Sequence, residues 1–374
     1  MLYGLDPSGN SWGAGNIPSL KYLPTVIGLF SILLYVVVKG KIRWRQTINN
    51  TAIFLFATFV LAGSVYALWQ IGRPLPSTFM GLGINALVFF SGYYVFYVIP
   101  PNTQEIVWDY LGVISFLSAV WISISLLIRV FGIGLTAPIT LYHEEFFLVP
   151  SAVLWVTNRK KIFVNLNASI VIIILGGLTG KYTGFMTSVI VSLYLLWQVW
   201  QAGKERKNFI IRILSLWLVG LFLATAIFVA IKTPSSLPTG SPGVRLVTYQ
   251  QRLTEFIQQP FVGQMFSGSA EFVLPTKDGE VTLPSHSDFL DIASQGGLVG
   301  LLLFFIPVLN VCRNALPKII SGQWTRYSEF AFFLMFTFLS MAAFNPVLKQ
   351  PGLAYFFWLP LGYLCAQEVK NINP

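Results

Sequence analysis

A single histidine stands directly before one of the long apolar runs of this sequence. His286 is one of only two histidines among 374 residues, and Ser287 and an apolar run over 289–312 follow it. An imidazole has an unperturbed pKa of about 6.5, so its neutral form can accept a proton from a hydroxyl group at neutral pH. The sequence therefore offers His286 as a general base. The competing interpretation is an interfacial histidine that only hydrogen-bonds a neighbour.

Two arginines upstream of His286 could bind an anion. The stretch VRLVTYQQRLTEFIQQP, residues 244–260, has apolar residues at spacings of three and four and ends at a proline, which predicts an amphipathic helix. Arg245 and Arg252 are seven residues apart, so two helical turns would place them on one face about 10.5 Å apart. With Tyr249 between them, the pair could contact an extended anion or two neighbouring phosphates.

Signals for a metal or a cofactor are weak. His143, Glu144 and Glu145 are adjacent in sequence, so their side chains would point in different directions, and a solvated loop is the simpler interpretation. Cys312 and Cys365 are too few for a disulfide framework and do not have zinc-ligand spacing. We expect neither a metal ion nor a cofactor.

The elements that position these residues are predicted to be membrane-spanning helices. The chain is 55% hydrophobic and only 10% charged, whereas a soluble domain has about 25% charged residues. A bilayer core requires roughly 20 apolar residues for each span. We therefore predict an all-α polytopic membrane protein that forms one integral domain over 1–374. About eleven helices are expected, near 21–38, 52–71, 79–99, 108–130, 139–157, 162–179, 183–200, 209–231, 289–312, 328–344 and 352–367.

Clusters of lysine and arginine predict the orientation of these helices. The segments KGKIRWR, NRKK, GKERKN and RNALPK all fall on one side of the membrane, which should be cytoplasmic. The N-terminus is then outside and the C-terminus in the cytoplasm. The net charge of +10 reflects topology rather than binding to nucleic acid. Segment 232–288 becomes a large outer loop that contains the amphipathic helix, and Arg73 and Lys181 also remain outside.

Two motifs in and after this loop resemble those of a known family. One has a histidine, a serine, an aromatic-Leu pair and Gly-apolar-apolar-Gly, carried here by His286, Ser287, Phe289, Leu290, Gly297, Leu298, Val299 and Gly300. The other has an arginine, an aromatic residue four positions on and Pro-x-x-Gly, carried by Arg245, Tyr249, Pro260 and Gly263. This order resembles the O-antigen ligase and polysaccharide polymerase superfamily of bacterial membrane proteins.

The sequence also departs from the family pattern. Gln295 stands where an acidic residue is frequent, and Tyr249 replaces the more usual tryptophan. Lys181 and Tyr182 stand in place of a Ser-Arg pair. A lysine attracts phosphate as a point charge but lacks the bidentate fork of a guanidinium, so a donor contact there would be weaker or rearranged.

The resemblance implies a membrane glycosyltransferase in the bacterial inner membrane. Such an enzyme would transfer a glycan from an undecaprenyl-diphosphate carrier to an acceptor hydroxyl on the periplasmic side, where the acceptor is another glycan or a lipid core. Arg245 and Arg252 would bind the diphosphate together with Lys181 or Arg73, and His286 would face the acceptor. No metal would be required, and a groove between apolar helices would hold the polyprenyl tail.

Several alternatives stay open at this point. Ser287 or Asp288 could cap the helix that follows, and Asp291, on the same helical face as Asp288, could orient His286. Ligation and repeat-unit polymerisation present the same donor. A transporter of an anion or small solute would also place basic residues on one face, although it usually needs ionisable groups near the bilayer centre. A non-catalytic assembly protein is the remaining possibility.

Overall fold

The structure of the protein is a computed structural model that describes about half of the chain. The described residues are 47–100, 103–106, 108–109, 220, 241–276, 279–284, 287–321, 323–350 and 353–372. Helices account for 76% of what is described. This part of the chain therefore confirms the predicted helical class.

Seven α-helices and one hairpin make up the described part of the chain. The helices are α1 (Ile48–Trp69), α2 (Met80–Ala86), α3 (Val88–Val98), α4 (Ser241–Gln258), α5 (Asp288–Ile320), α6 (Arg326–Ala342) and α7 (Tyr355–Ile372). A short 3-10 helix, Leu75–Ser77, follows α1, and strands β1 (Glu271–Thr276) and β2 (Gly279–Pro284) lie between α4 and α5.

Three of these segments are long and apolar enough to cross a membrane. They are Ile48–Trp69, Met80–Val98 and Asp288–Ile320, and each overlaps a span predicted from sequence. Helices α6 and α7 overlap two further predicted spans. The other six predicted spans lie wholly or almost wholly outside the described residues. The number of about eleven spans therefore stays a prediction.

The chain divides into two compact units. The first comprises 1–16, 101–236 and 325–337, and the second comprises 17–100, 237–324 and 338–374. Within the described part of the first unit, Trp108 meets Phe330 edge to face at 5.3 Å, and the Tyr327 hydroxyl donates to Asp109 Oδ1 at 3.2 Å. The described candidate site residues all belong to the second unit.

Small residues and aromatic rings pack the second unit. A Cβ at Gly92 of α3 would lie 2.4 Å from the Leu359 carbonyl oxygen of α7, and one at Gly362 would lie 2.2 Å from that of Phe89. Only glycine permits so close an approach of two helix backbones. Beside this contact, the rings of Phe56 and Phe304 from α1 and α5 lie 5.7 Å apart.

Helix α5 is broken at Gly297. This residue has φ 59° and ψ −158°, a backbone conformation that is essentially restricted to glycine. A Cβ at Gly297 would also lie 2.4 Å from the carbonyl carbon and oxygen of Phe261. The break therefore depends on glycine for two reasons, the torsion angles and the close approach of another segment.

The segment 260–266, which we call the crossing turn, occupies the break in α5. Its carbonyl oxygens at Pro260 and Phe261 accept hydrogen bonds from the amides of Leu298 and Val299, at 2.8 and 3.0 Å. On the other side of the break, the amides of Gln264 and Phe266 donate to the carbonyl oxygens of Ser294 and Gln295, at 3.2 and 3.0 Å. The crossing turn thus pairs backbone groups that the break removes from the helical ladder.

A buried phenylalanine anchors the crossing turn. Phe266 has a positive φ of 57°, which is unusual for a bulky residue and costs about 1–3 kcal/mol. Its ring is fully buried, with centroids 5.2 Å from Phe59, 5.8 Å from Phe79 and 6.2 Å from Phe56. Burying such a ring contributes about 1.5–3 kcal/mol, which offsets the strain of the turn.

The antiparallel hairpin is a feature that the sequence analysis did not predict. Strands β1 and β2 pair from Glu271 with Pro284 to Thr276 with Gly279. An Asp-Gly pair between two short alternating runs, as in FVLPTKDGEVTL, is a known hairpin signal. The proline and glycine content of region 232–288 instead predicts a loop that contains one helix.

The break in α5 should fail when alanine replaces its glycine. We expect Gly297→Ala to lower the free energy of unfolding by about 2–6 kcal/mol, the sum of strain and overpacking of about 1–3 kcal/mol each. The measurement is the thermal unfolding midpoint of the purified protein in detergent.

Gly72→Ala is the matched control for this experiment. Gly72 also has a positive φ, 70°, but no atom of the described residues lies within 4 Å of a Cβ placed there. This substitution should cost only the strain of a left-handed residue, about 1–2 kcal/mol. Equal losses for the two variants would contradict the role assigned to the crossing turn.

Candidate functional site

Arg252 is the centre of a buried charge network at the start of α5. Its side chain is 1% exposed, and its Nε donates to Asp291 Oδ1 at 2.7 Å. Its two terminal nitrogens donate to Glu255 Oε2 at 2.7 Å and to the Ser269 carbonyl at 2.5 Å. Lys349 Nζ pairs with the second oxygen of Asp291. Two positive and two negative charges thus balance one another, which makes their burial tolerable.

Aromatic rings and a buried amide complete the network. The Arg252 guanidinium lies 4.4 Å from the ring centre of Phe272 and 5.6 Å from that of Phe79. Gln295 is fully buried, and its Nε2 donates to Gln264 Oε1 at 3.1 Å while its Oε1 accepts from the Gly268 amide at 3.0 Å. A neutral amide can both donate and accept, which a carboxylate at this position could not do.

Local sequence rules explain why α4 and α5 carry these groups. Arg252 and Glu255 are three residues apart on α4, a spacing that places side chains on neighbouring parts of one helix face. The Ser287 hydroxyl caps α5 by accepting from the Leu290 amide at 3.3 Å. Asp291 lies in the first turn of α5, where the helix dipole favours a negative charge.

Asp288 fixes a further segment to the start of α5. Its Oδ2 accepts from the Leu348 amide at 2.6 Å, and the side chain is fully buried. This bond holds the chain next to Lys349, the residue that pairs with Asp291. The Oδ1 atom of Asp288 is buried and has no hydrogen-bond partner within the described part of the chain.

Arg245 and Arg73 differ from Arg252 because no described residue neutralises their charges. Both side chains are half-buried, and the Nε atom of each is buried without a hydrogen-bond partner among the described residues. Neither residue takes part in an ion pair with another described residue. Arg73 precedes Ser77, whose hydroxyl donates to Glu271 Oε2 at 2.9 Å, so its segment is fixed against the hairpin.

Tyr249 interacts electrostatically with both Arg245 and Asp291. Burial raises the pKa of its phenol above the ordinary value of 10.0, Arg245 opposes that shift, and Asp291 adds to it. The phenol is therefore neutral at physiological pH and can donate a hydrogen bond. It sits one helical turn from Arg245 on α4.

The predicted site residues fall into three groups in the structure. Arg245 and Arg73 each carry a buried Nε atom without a hydrogen-bond partner among the described residues, whereas Arg252, Asp291 and Ser287 are engaged within the protein, and Tyr249 lies one helical turn from Arg245. Lys181 and His286 lie outside the described residues. The amphipathic helix is confirmed as Ser241–Gln258, whereas an anion contact of Arg252 stays a prediction, as does an effect of Asp291 on His286.

Sequence reasoning missed three members of the network. Glu255 could have been found from its spacing of three residues after Arg252. Lys349 and Gln295 carried no usable signal, because Lys349 is 58 residues from Asp291 and an isolated glutamine predicts no contact. Within the described residues, no group of three His, Cys, Asp or Glu side chains could hold a metal ion.

Comparison with known proteins adds no further identification. No family model matches the sequence, and no curated protein or solved structure is significantly similar to it. The resemblance to the O-antigen ligase and polymerase superfamily therefore rests on the motif residues themselves. The structure does show that the two motif segments are in contact. The Leu298 amide donates to the Pro260 carbonyl oxygen, and the backbone of Gly263 lies against that of Ser294 and Gln295.

Breaking the buried ion pair should destabilise the protein strongly. We expect Arg252→Ala to lower the free energy of unfolding by about 3–5 kcal/mol, because it leaves Glu255 and one oxygen of Asp291 buried without their cation. The thermal unfolding midpoint in detergent measures this loss. Gln250→Ala, at an exposed position two residues away, is the control and should stay within about 0.5 kcal/mol of the parent protein. A similar small effect for both variants would contradict the structural role of Arg252.

Proposed function

We propose that this protein is a membrane glycosyltransferase that moves a glycan from undecaprenyl diphosphate to an acceptor hydroxyl on the periplasmic side of the bacterial inner membrane. The observation that carries this proposal is the placement of Arg245. Its guanidinium, which no described residue neutralises, stands on a helix that buried ion pairs attach to the start of α5, the helix that closely follows His286 in sequence.

The state of Arg245 favours an anionic ligand. A half-buried guanidinium has lost part of its hydration without gaining a carboxylate partner among the described residues. A diphosphate oxygen would form charge-assisted hydrogen bonds with it, which are about twice as strong as neutral ones. These bonds would strengthen as the glycosidic bond breaks, because negative charge then builds up on the diphosphate.

The proposed reaction exchanges one bond at the anomeric carbon of the glycan. The acceptor oxygen bonds to that carbon, and the bond from the carbon to the diphosphate oxygen breaks with its electron pair going to the diphosphate. The proton of the acceptor hydroxyl passes to the imidazole of His286. Arg245 stabilises the leaving diphosphate, with Arg73 and Lys181 as further proposed contacts, whereas the buried Arg252 stays bound to Asp291 and Glu255.

The remaining residues have supporting roles in this proposal. Asp291 and Glu255 hold Arg252, and this pairing fixes the position of α4 and therefore of Arg245. The neutral phenol of Tyr249 can donate a hydrogen bond near Arg245. Ser287 caps α5 and so fixes the backbone that continues from His286. No metal or cofactor takes part.

A polymerase is the nearest alternative, because it would use the same donor with a growing glycan as acceptor. A transporter of an anion or small solute is less favoured. In the three described candidate spans, charged residues occur only towards the ends of α5, at Asp288, Asp291, Arg313 and Lys318. Coupled transport usually requires ionisable groups near the bilayer centre.

Removing Arg245 or His286 should abolish glycan transfer. We expect Arg245→Ala to lower the rate by about 10²–10³, the usual effect of deleting one donor to a developing anion. His286→Ala should cost about 10²–10⁴ as the loss of a general base. The measurement is transfer from a purified undecaprenyl-diphosphate-linked glycan by protein reconstituted in liposomes.

Arg313→Ala is the matched control, because Arg313 is an exposed arginine near the other end of α5. It should retain parental activity, and all three variants should insert and express normally. Parental activity of Arg245→Ala or His286→Ala would refute the role given to that residue. Uptake of labelled solute without glycan transfer would favour the transporter.

Chelation should leave the activity unchanged, because the proposed step uses only protein groups. We expect the transfer rate in EDTA to equal that in buffer alone. A strong loss that added Mg²⁺ or Mn²⁺ restores would show that a metal takes part. In a deletion strain, shortened surface glycan chains would identify a polymerase, whereas unattached chains would identify a ligase.

A further inference from the structure

We infer that the end of α4 and the crossing turn form an apolar wedge that inserts into the lipid leaflet at the Asp288 end of α5. The wedge consists of Ile257, Phe261, Val262 and Met265, whose side chains are 68%, 72%, 44% and 56% exposed. The occupant of this surface is the acyl-chain region of the bilayer. The inference does not depend on the proposed glycan transfer.

Helix α4 has the inverse of the arrangement expected in water. Its fully buried side chains, Thr248 and Arg252, are polar, whereas Leu246, Leu253 and Ile257 on another face are exposed. A surface helix of a soluble protein buries its apolar face and exposes its polar one. The inverted pattern is typical of a helix that contacts lipid.

The level of the wedge along α5 can be read from hydrogen bonds. The uncharged part of α5 runs from Ile292 to Cys312, and its 21 residues would span about 31 Å, close to the hydrocarbon thickness of about 30 Å. The amides of Leu298 and Val299 donate to the carbonyl oxygens of Pro260 and Phe261. Leu298 lies six residues after Ile292, the start of that uncharged part. The wedge therefore lies about 9 Å inside the hydrocarbon boundary.

The wedge continues an apolar surface that α5 already presents. Leu298, Val299 and Leu302 of α5 are also exposed, and the first two are the residues whose amides bond to the crossing turn. Because α5 is long and apolar enough to span the bilayer, its exposed side chains at this level face acyl chains. The side chains of the crossing turn then share the same surroundings.

Irregular backbone at this level is acceptable only if its polar groups are paired. Bilayer hydrocarbon offers no hydrogen-bond partners, so unpaired amides or carbonyls would cost several kcal/mol each. The hydrogen bonds of the crossing turn with Ser294, Gln295, Leu298 and Val299 pair four of its backbone groups. The charges of Arg252 and Asp291 lie closer to the boundary and are buried against each other.

Spin labels on the full-length protein test this inference. Ile257→Cys and Phe261→Cys are each made in a Cys312→Ser, Cys365→Ala background, labelled, and reconstituted in phosphatidylethanolamine–phosphatidylglycerol vesicles. Both positions are exposed, so neither label disturbs the core. Collision rates with molecular oxygen, which concentrates in acyl chains, and with a water-soluble nickel chelate are then measured. Gln251→Cys, exposed on α4 beside Arg252 and therefore near the level of Asp291 at the boundary, is the matched control.

The expected result is a loss of collisions with the nickel chelate at 257 and 261 relative to 251, together with a gain of collisions with oxygen. Chelate access at 257 and 261 equal to that at 251 would place the wedge in water and overturn the inference. Low access of both reagents at 257 and 261 would show that protein, such as a second copy of the chain, covers the surface, and would also overturn it.

Discussion

The structure depends on a broken membrane helix and on the segment that repairs it. The torsion angles of Gly297 stop the hydrogen-bond ladder of α5, and an unpaired backbone cannot persist within a bilayer. The crossing turn supplies the missing donors and acceptors, and Phe266 anchors it among aromatic rings of α1 and the segment before α2. Because the crossing turn directly follows α4, the same constraint also fixes that helix.

The charge network also links α4 to α5, on the N-terminal side of the break at Gly297. Arg252 and Asp291 link α4 to the first turn of α5, and Lys349 adds the segment before α7. A buried ion pair of this kind contributes little net stability but strongly penalises any arrangement that separates its partners. It therefore specifies one position for α4. Arg245, on the same helix, is left with a charge that the described protein groups do not neutralise.

The sequence predicted the elements more accurately than the contacts. Apolar runs predicted helices where α1, α5, α6 and α7 occur, and spacing predicted α4, because these signals depend on local periodicity. The two arginines of α4 looked equivalent, since both occupy one face of the same helix. They differ because Asp291 and Glu255 neutralise only Arg252. The hairpin was not among the predicted elements, although the Asp-Gly pair in KDGEV is a hairpin signal.

Composition and spacing by themselves determined that the described helices suit a membrane, that α4 is amphipathic, and that glycines cluster at 296, 297 and 300. Tertiary structure decided which face of α4 meets α5, which arginine is neutralised and which glycine breaks the helix. The physical reason is that periodicity depends on neighbours in the chain. Charge pairing and backbone satisfaction depend instead on groups far apart in the chain, such as Asp291 and Lys349, which are 58 residues apart.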